Sequence, residues 1–137
     1  MNAKEYLSQA FYFNRQIKAK QKRLEWLKDI APGPSISFSD EPRGARNAKA
    51  SMVENAAIKV VALEEELAAD IIRFVEITKE IESVIKAVGS IEQRTILEMR
   101  YLSFMEWDEI ASRMGYSQRY VFYAHSRALR AVRVPAA

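Results

Sequence analysis

The chain has 137 residues, 49% of them apolar and 28% charged, which suits one folded domain or a small domain with an appendage. It has no cysteine, which excludes disulfides and thiolate metal sites and points to a reducing compartment. Net charge is only +3, the opening MNAKEYLSQAF lacks the apolar run of a signal peptide, and no stretch approaches the ~18 apolar residues of a membrane span, so a soluble cytoplasmic protein is expected.

Apolar residues at Leu7, Phe11, Ile17, Leu24 and Leu27 recur near one helix face and predict a first helix over about 3–30. Residues 1–30 carry seven Lys/Arg and three Asp/Glu, a net +4. The stretch APGPSISFSDEPRGA holds Pro32, Gly33, Pro34, Pro42 and Gly44, and predicts a loop over 31–47. A second, longer helix is expected over about 48–88. Val60, Leu67, Phe74, Ile81 and Val88 repeat there every seven residues, with Ile71, Ile77, Val84 and Ile85 widening the stripe. Residues 52–88 carry four bases and eight acids, a net −4. Periodicity and charge both favour an antiparallel, coiled-coil-like hairpin spanning 1–88. At about 1.5 Å per residue the two helices would run roughly 40 Å and roughly 60 Å, leaving part of the second uncovered. A second copy of the chain, in a homodimer, and the C-terminal domain are both candidate covers. The hairpin reads as an oligomerisation or partner-docking element, or as a plain folding core; the same periodicity serves all of these.

After Gly89 the pattern restarts, giving a separate domain over 89–137. Ser90 is placed to cap a helix over Ile91–Leu102, in which Ile91, Ile96, Leu97, Met99 and Tyr101 supply apolar contacts and Glu92 lies on the surface. A short helix follows from Glu106 to Met114, with Glu106, Asp108 and Glu109 complementing its dipole. Gly115 ends it, and Ser117 is placed to cap a last helix. Counted from Trp107, a helix-turn-helix needs an apolar residue at position 4 (Ile110), a small one at 5 (Ala111) and an apolar one at 8 (Met114). It also needs glycine at 9 (Gly115), a buried aliphatic at 15 (Val121) and an apolar residue at 18 (Ala124). All are met, so the whole chain is expected to be all-α: a helical hairpin followed by a helix-turn-helix domain.

In that arrangement Val121, Ala124, Ala128 and Leu129 face the core. Gln118, Arg119, Phe122, Tyr123 and Ser126 form the opposite face. Gln118 can pair with adenine and Arg119 with guanine in a major groove. Tyr123 offers a hydroxyl, and Phe122 can meet a thymine methyl or pack. Ser117 and its amide sit at a helix N-terminus suited to a phosphate. Arg113, Arg127 and Arg130 are candidate phosphate contacts, with solvated surface charge as the plain alternative. Beyond Ile110 there are five arginines and no acid. His125 is the sole histidine, which reads as a polar residue beside the core. The acids at 64–66 and 106–109 lie on helix surfaces, Gly33 and Gly44 form no phosphate loop, and Trp26 and Trp107 read as packing residues. No cofactor, metal site or catalytic group is expected.

The segment IEQRTILEMRYLSFMEWDEIASRMGYSQRYVFYAHSRALRAV resembles region 4 of bacterial sigma factors. The matching residues are Met99-Arg100-Tyr101, Trp107 to Ser117, and Arg127-Ala128-Leu129 through Val132. The whole chain resembles small phage and prophage regulators that carry such a domain. The resemblance implies a transcriptional regulator of the late-gene type, double-stranded DNA as partner, and charged or polar readers at positions 118, 119, 122 and 123. Phe122 and Tyr123 depart from that pattern. The aromatics Tyr120, Phe122 and Tyr123 would suit a protein contact instead, with RNA polymerase the partner that region 4 implies. A DNA-packaging component of the small-terminase kind, which also joins such a domain to a helical stalk, is the third reading.

Overall fold

The computed structural model describes residues 1–30 and 43–136, with the backbone alone over 43–49. The loop expected over 31–47 therefore lies largely outside the described residues. Six α-helices account for most of the described chain: α1 (Ala3–Leu7), α2 (Gln9–Ile30), α3 (Arg43–Lys86), α4 (Ile91–Leu97), α5 (Trp107–Met114) and α6 (Gln118–Ala131). A π-helical turn, Glu98–Leu102, extends α4. No strand occurs among the described residues, and the fold is all-α.

The N-terminal helix is divided at Ser8. Asn2 and Glu5 form a reciprocal capping box, with Glu5 N–H donating to Asn2 Oδ1 over 2.8 Å. Ser8 Oγ donates to the Lys4 carbonyl over 2.6 Å, and this local bond competes with the helix ladder where α1 gives way to α2. The second helix begins at Arg43, several residues before the expected start, and takes in Gly44. Ala45, Ala48 and Ala50 are strong helix formers, enough to carry the helix through one glycine.

The chain forms two compact units: Met1–Asn14 with Arg73–Ala137, and Arg15–Ile72. In the second, α2 and the adjoining part of α3 run antiparallel. Lys20 pairs with Asp70 at 2.5 Å and with Glu66 at 3.7 Å, and Lys28 reaches Glu64 at 3.9 Å. The opposite charges of the two helices thus meet as ion pairs. Ile17, Leu27, Ala56, Leu63 and Leu67 are buried between them. Trp26, expected to pack, is instead 63% exposed, beside a shallow depression lined by Leu27, Ile30, Met52 and Ala56.

The first unit has its own core. Tyr6, Leu7 and Ala10 pack with Ile77, Ile81, Ile85 and Val88, and with Leu97, Tyr101, Ala128 and Val132. A division after Val88 would therefore cut through one continuous core. Within this unit, helices outside the hairpin cover the C-terminal end of the α3 stripe, one of the two covers anticipated from length. Each fully buried aliphatic here contributes roughly 1.5–3 kcal/mol of hydrophobic stabilisation. Phe11, expected on the buried face, is 38% exposed and meets Phe104 edge-on with ring centroids 6.0 Å apart.

Candidate functional site

The candidate site is built on α4, α5 and α6, all in the first unit. Ser90 caps α4, accepting from Gln93 N–H over 3.3 Å. The helix was expected to run regularly to Leu102. Instead its last turn widens, with Ser103 N–H donating to the Glu98 carbonyl over 3.0 Å, a five-residue step. Ile91, expected to make apolar contacts, is 73% exposed; Ile96 and Leu97 point inward. Phe104 then adopts φ 57°, a left-handed conformation uncommon for a bulky residue. The bend is held by Met105 N–H on the Met99 carbonyl at 3.0 Å and by Arg100 on the Met105 carbonyl at 2.9 Å.

The expected helix ends are present between α5 and α6. Gly115 has φ 71° and ψ 29°. Tyr116 N–H donates to the Ala111 carbonyl over 3.0 Å and Gly115 N–H to the Ser112 carbonyl over 3.3 Å, the two bonds of a Schellman ending. Ser117 Oγ accepts from Tyr120 N–H at 3.1 Å, opening α6. Ile110, Ala111 and Val121 form a small core with Met99, Met105, Trp107 and Met114 around it. Ala124 and Ala128 are buried too. The two helices are thus locked together through small and aliphatic residues.

Every candidate contact residue lies on the outside. Ser117, Gln118, Arg119, Phe122, Tyr123, Ser126, Arg127 and Arg130 are exposed, as is Arg113 on α5. At about 100° per residue Arg119, Tyr123, Ser126 and Arg130 fall opposite Val121, Ala124 and Ala128, with Gln118, Phe122 and Arg127 towards the flanks. Arg113 pairs with Glu109 at 3.2 Å along α5. Arg127 donates to Tyr123 Oη over 3.2 Å.

The aromatic residues of α6 do not form one patch. Phe122 meets Trp107 edge-on, centroids 5.3 Å apart. On the other flank Tyr116, Tyr120 and Tyr123 form a row, with centroid separations of 4.6 and 6.2 Å. Tyr120 Oη donates to Glu92 Oε1 at 2.7 Å, and this bond raises the phenol above its ordinary pKa. Glu92 accepts from Tyr116 Oη as well, at 3.4 Å. Sequence reading placed Glu92 on the α4 surface but missed this bridge to α6. A carboxylate separated by 24 and 28 residues from its partners leaves no local signal.

Behind the site lies a second unforeseen connection. His125 is buried, with Nε2 at 2.7 Å from Tyr101 Oη, and it packs edge-on to Trp107 at 4.6 Å. Arg100 lies 4.5 Å over the Trp107 ring. Burial, with the positive charges of Lys4 and Arg100, lowers the imidazole pKa to about 4, so His125 is neutral at pH 7. Burial likewise raises Tyr101 to about 12. The histidine thus serves as a neutral packing and hydrogen-bonding group linking α6 to the π-helical turn.

Among the described residues no group of three or more His, Cys, Asp or Glu is placed to hold a metal, and no helix is long and apolar enough to cross a membrane. Residues 40–133 match the family described as "Protein of unknown function (DUF1492)". The match covers more than half of the chain, which belongs to that family. No curated protein and no solved structure matches the chain.

Proposed function

For this member of the DUF1492 family, we propose sequence-specific binding of double-stranded DNA, with α5, the Gly115 turn and α6 acting as a helix-turn-helix. The observation that carries the reading is the sorting of residues on these helices. Of the positions that such a motif needs inside, Ile110, Ala111, Val121 and Ala124 are buried, Met114 is half-buried and Gly115 makes the turn, while the polar positions 118, 119 and 126 are exposed. Gln118 and Arg119, at the start of α6, are the base readers. Ser117, Arg113, Arg127 and Arg130 contact phosphates, and Phe122 and Tyr123 flank the groove. The resemblance to sigma region 4 extends this to transcriptional regulation of phage type, in the cytoplasm of a bacterial host. The role is binding rather than catalysis. Selection of bound fragments from the source genome tests it. A shared motif within promoters, bound with affinity that falls steeply as salt rises, is expected. Retention of fragments without a common sequence would remove the specific part of the reading.

A second reading concerns the tyrosine row. Tyr116, Tyr120 and Tyr123 are each at least 40% exposed, and aromatic residues are enriched where proteins meet. We infer a contact with RNA polymerase through this flank, compatible with DNA contact through positions 118 and 119. Polymerase retained by the native protein but lost with Tyr116→Ala/Tyr123→Ala supports it; equal retention counts against it.

A further inference from the structure

α3 carries two apolar stripes, and among the described residues only one is buried. Ala56, Leu63, Leu67, Ile77 and Ile81 are buried. The second stripe runs along the opposite side of the helix, at positions spaced alternately by four and three residues. Ile58, Val61, Ile72 and Val75 lie on it, exposed by 62, 59, 61 and 45%. Ala68 and Glu65 complete the middle, and Glu54 and Lys79 lie at its two ends, all exposed. This spacing is the seam pattern of a two-helix coiled coil.

The order of residues along the stripe identifies what covers it. Read forwards it is Glu54, Ile58, Val61, Glu65, Ala68, Ile72, Val75, Lys79. Laid antiparallel on its own copy, Glu54 meets Lys79, Ile58 meets Val75, Val61 meets Ile72, and Glu65 meets Ala68. Each pairing occurs twice about a two-fold axis. Both ends then close with opposite charges, and the small Ala68 leaves room for the Glu65 stem to run outward to water. Parallel pairing would set Glu54, Glu65 and Lys79 each against itself, which is repulsive. The stripe is therefore self-complementary in one orientation, the requirement for an isologous interface.

We propose that this face of α3 is a homodimer interface, an antiparallel coiled coil centred between Glu65 and Ala68. It is distinct from the α2-facing side of the hairpin and independent of DNA binding. The seam from Glu54 to Lys79 spans about 39 Å at 1.5 Å per residue. Because the interface is closed, association stops at two chains.

Sedimentation equilibrium of the full chain tests the state, and cysteine pairs test the geometry. The native protein should be a concentration-dependent dimer. Ile72→Asp and Ile58→Asp should each give a monomer that keeps its helical circular dichroism, since both positions are exposed within one chain. Glu54→Lys should weaken association about tenfold, and Glu54→Lys with Lys79→Glu should restore it. The chain has no cysteine of its own, so introduced thiols report without interference. Val61→Cys with Ile72→Cys should cross-link on mild oxidation, whereas Val61→Cys alone should not. A native protein that stays monomeric at 0.1–1 mM, on the order of the weakest dimer worth the name, overturns the proposal. So does a larger ring, or a Val61→Cys variant that cross-links as readily as the pair.

Discussion

The α5–α6 segment and the α2–α3 hairpin are both amphipathic helix pairs, yet their sequences carry different kinds of information. In α5–α6 each position has its own requirement: a small residue at the crossing, a glycine with positive φ, a capping serine. The outside follows from the inside. In the hairpin the requirement is a period, which any partner helix of suitable register can satisfy. The period of a stripe names no partner; only the particular residues set along it can. The α3 helix shows this within a single element, since it bears one stripe that is buried and one that is exposed.

The largest effect should come from setting two isoleucines of α3 against each other. Ile81 is fully buried in the core of the first unit, and Ile72 is 61% exposed. Ile81→Ala should cost about 2–5 kcal/mol in urea unfolding. Ile72→Ala, measured dilute enough to keep the chain monomeric, should cost under ~0.5 kcal/mol. Equal costs would break the distinction between the two stripes.

Two glycines sharpen the α5–α6 side of the comparison. An added Cβ meets nothing within 4 Å at either Gly115 or Gly89, but only Gly115 has a positive φ. Gly115→Ala should therefore destabilise by about 1–2 kcal/mol through backbone strain alone. Gly89→Ala should be close to neutral. Next in size is the α6 cap: Ser117→Ala leaves Tyr120 N–H without its acceptor and should cost about 1 kcal/mol.

Acid should act on the same unit through His125. Its folded pKa of about 4 lies below the ordinary 6.5, so the unfolded chain binds the extra proton first. Stability from this group is complete above pH 6.5 and is lost as pH falls towards 4. Urea midpoints measured across that window should drop more steeply for the native protein than for His125→Gln, which keeps a polar partner for Tyr101. Parallel slopes would place the acid sensitivity elsewhere.

These contrasts also explain which features were legible in the sequence. The all-α fold and the α5–α6 turn follow from spacings within one or two helical turns, and the charge pairing of the hairpin from the net charge of its two segments. Lys20 with Asp70 and Lys28 with Glu64 realise a charge balance visible in composition. The link from Tyr101 to His125 and the bridge from Glu92 to Tyr120 join groups 24 and 28 residues apart, which no local pattern encodes. The expected division after Val88 overlooked that Tyr6, Leu7 and Ala10 complete the same core as Ala128 and Val132. At the candidate site, exposure of positions 118 and 119 followed from the period of α6. The split of its aromatics did not, because the places of Phe122 and Tyr120 depend on Trp107 and Glu92.

Whether DNA is read from the start of α6 can be decided by comparing two arginines. Arg119 lies on α6 and Arg23 on α2 of the hairpin. Affinity for the selected genomic site should be measured for Arg119→Ala and Arg23→Ala at one fixed salt concentration, with circular dichroism to confirm folding. Arg119→Ala should lose about 1–3 kcal/mol for that site and relax discrimination at one base pair, while Arg23→Ala should bind as the native chain does. Unchanged affinity for Arg119→Ala, or an equal loss for Arg23→Ala, would contradict reading from α6.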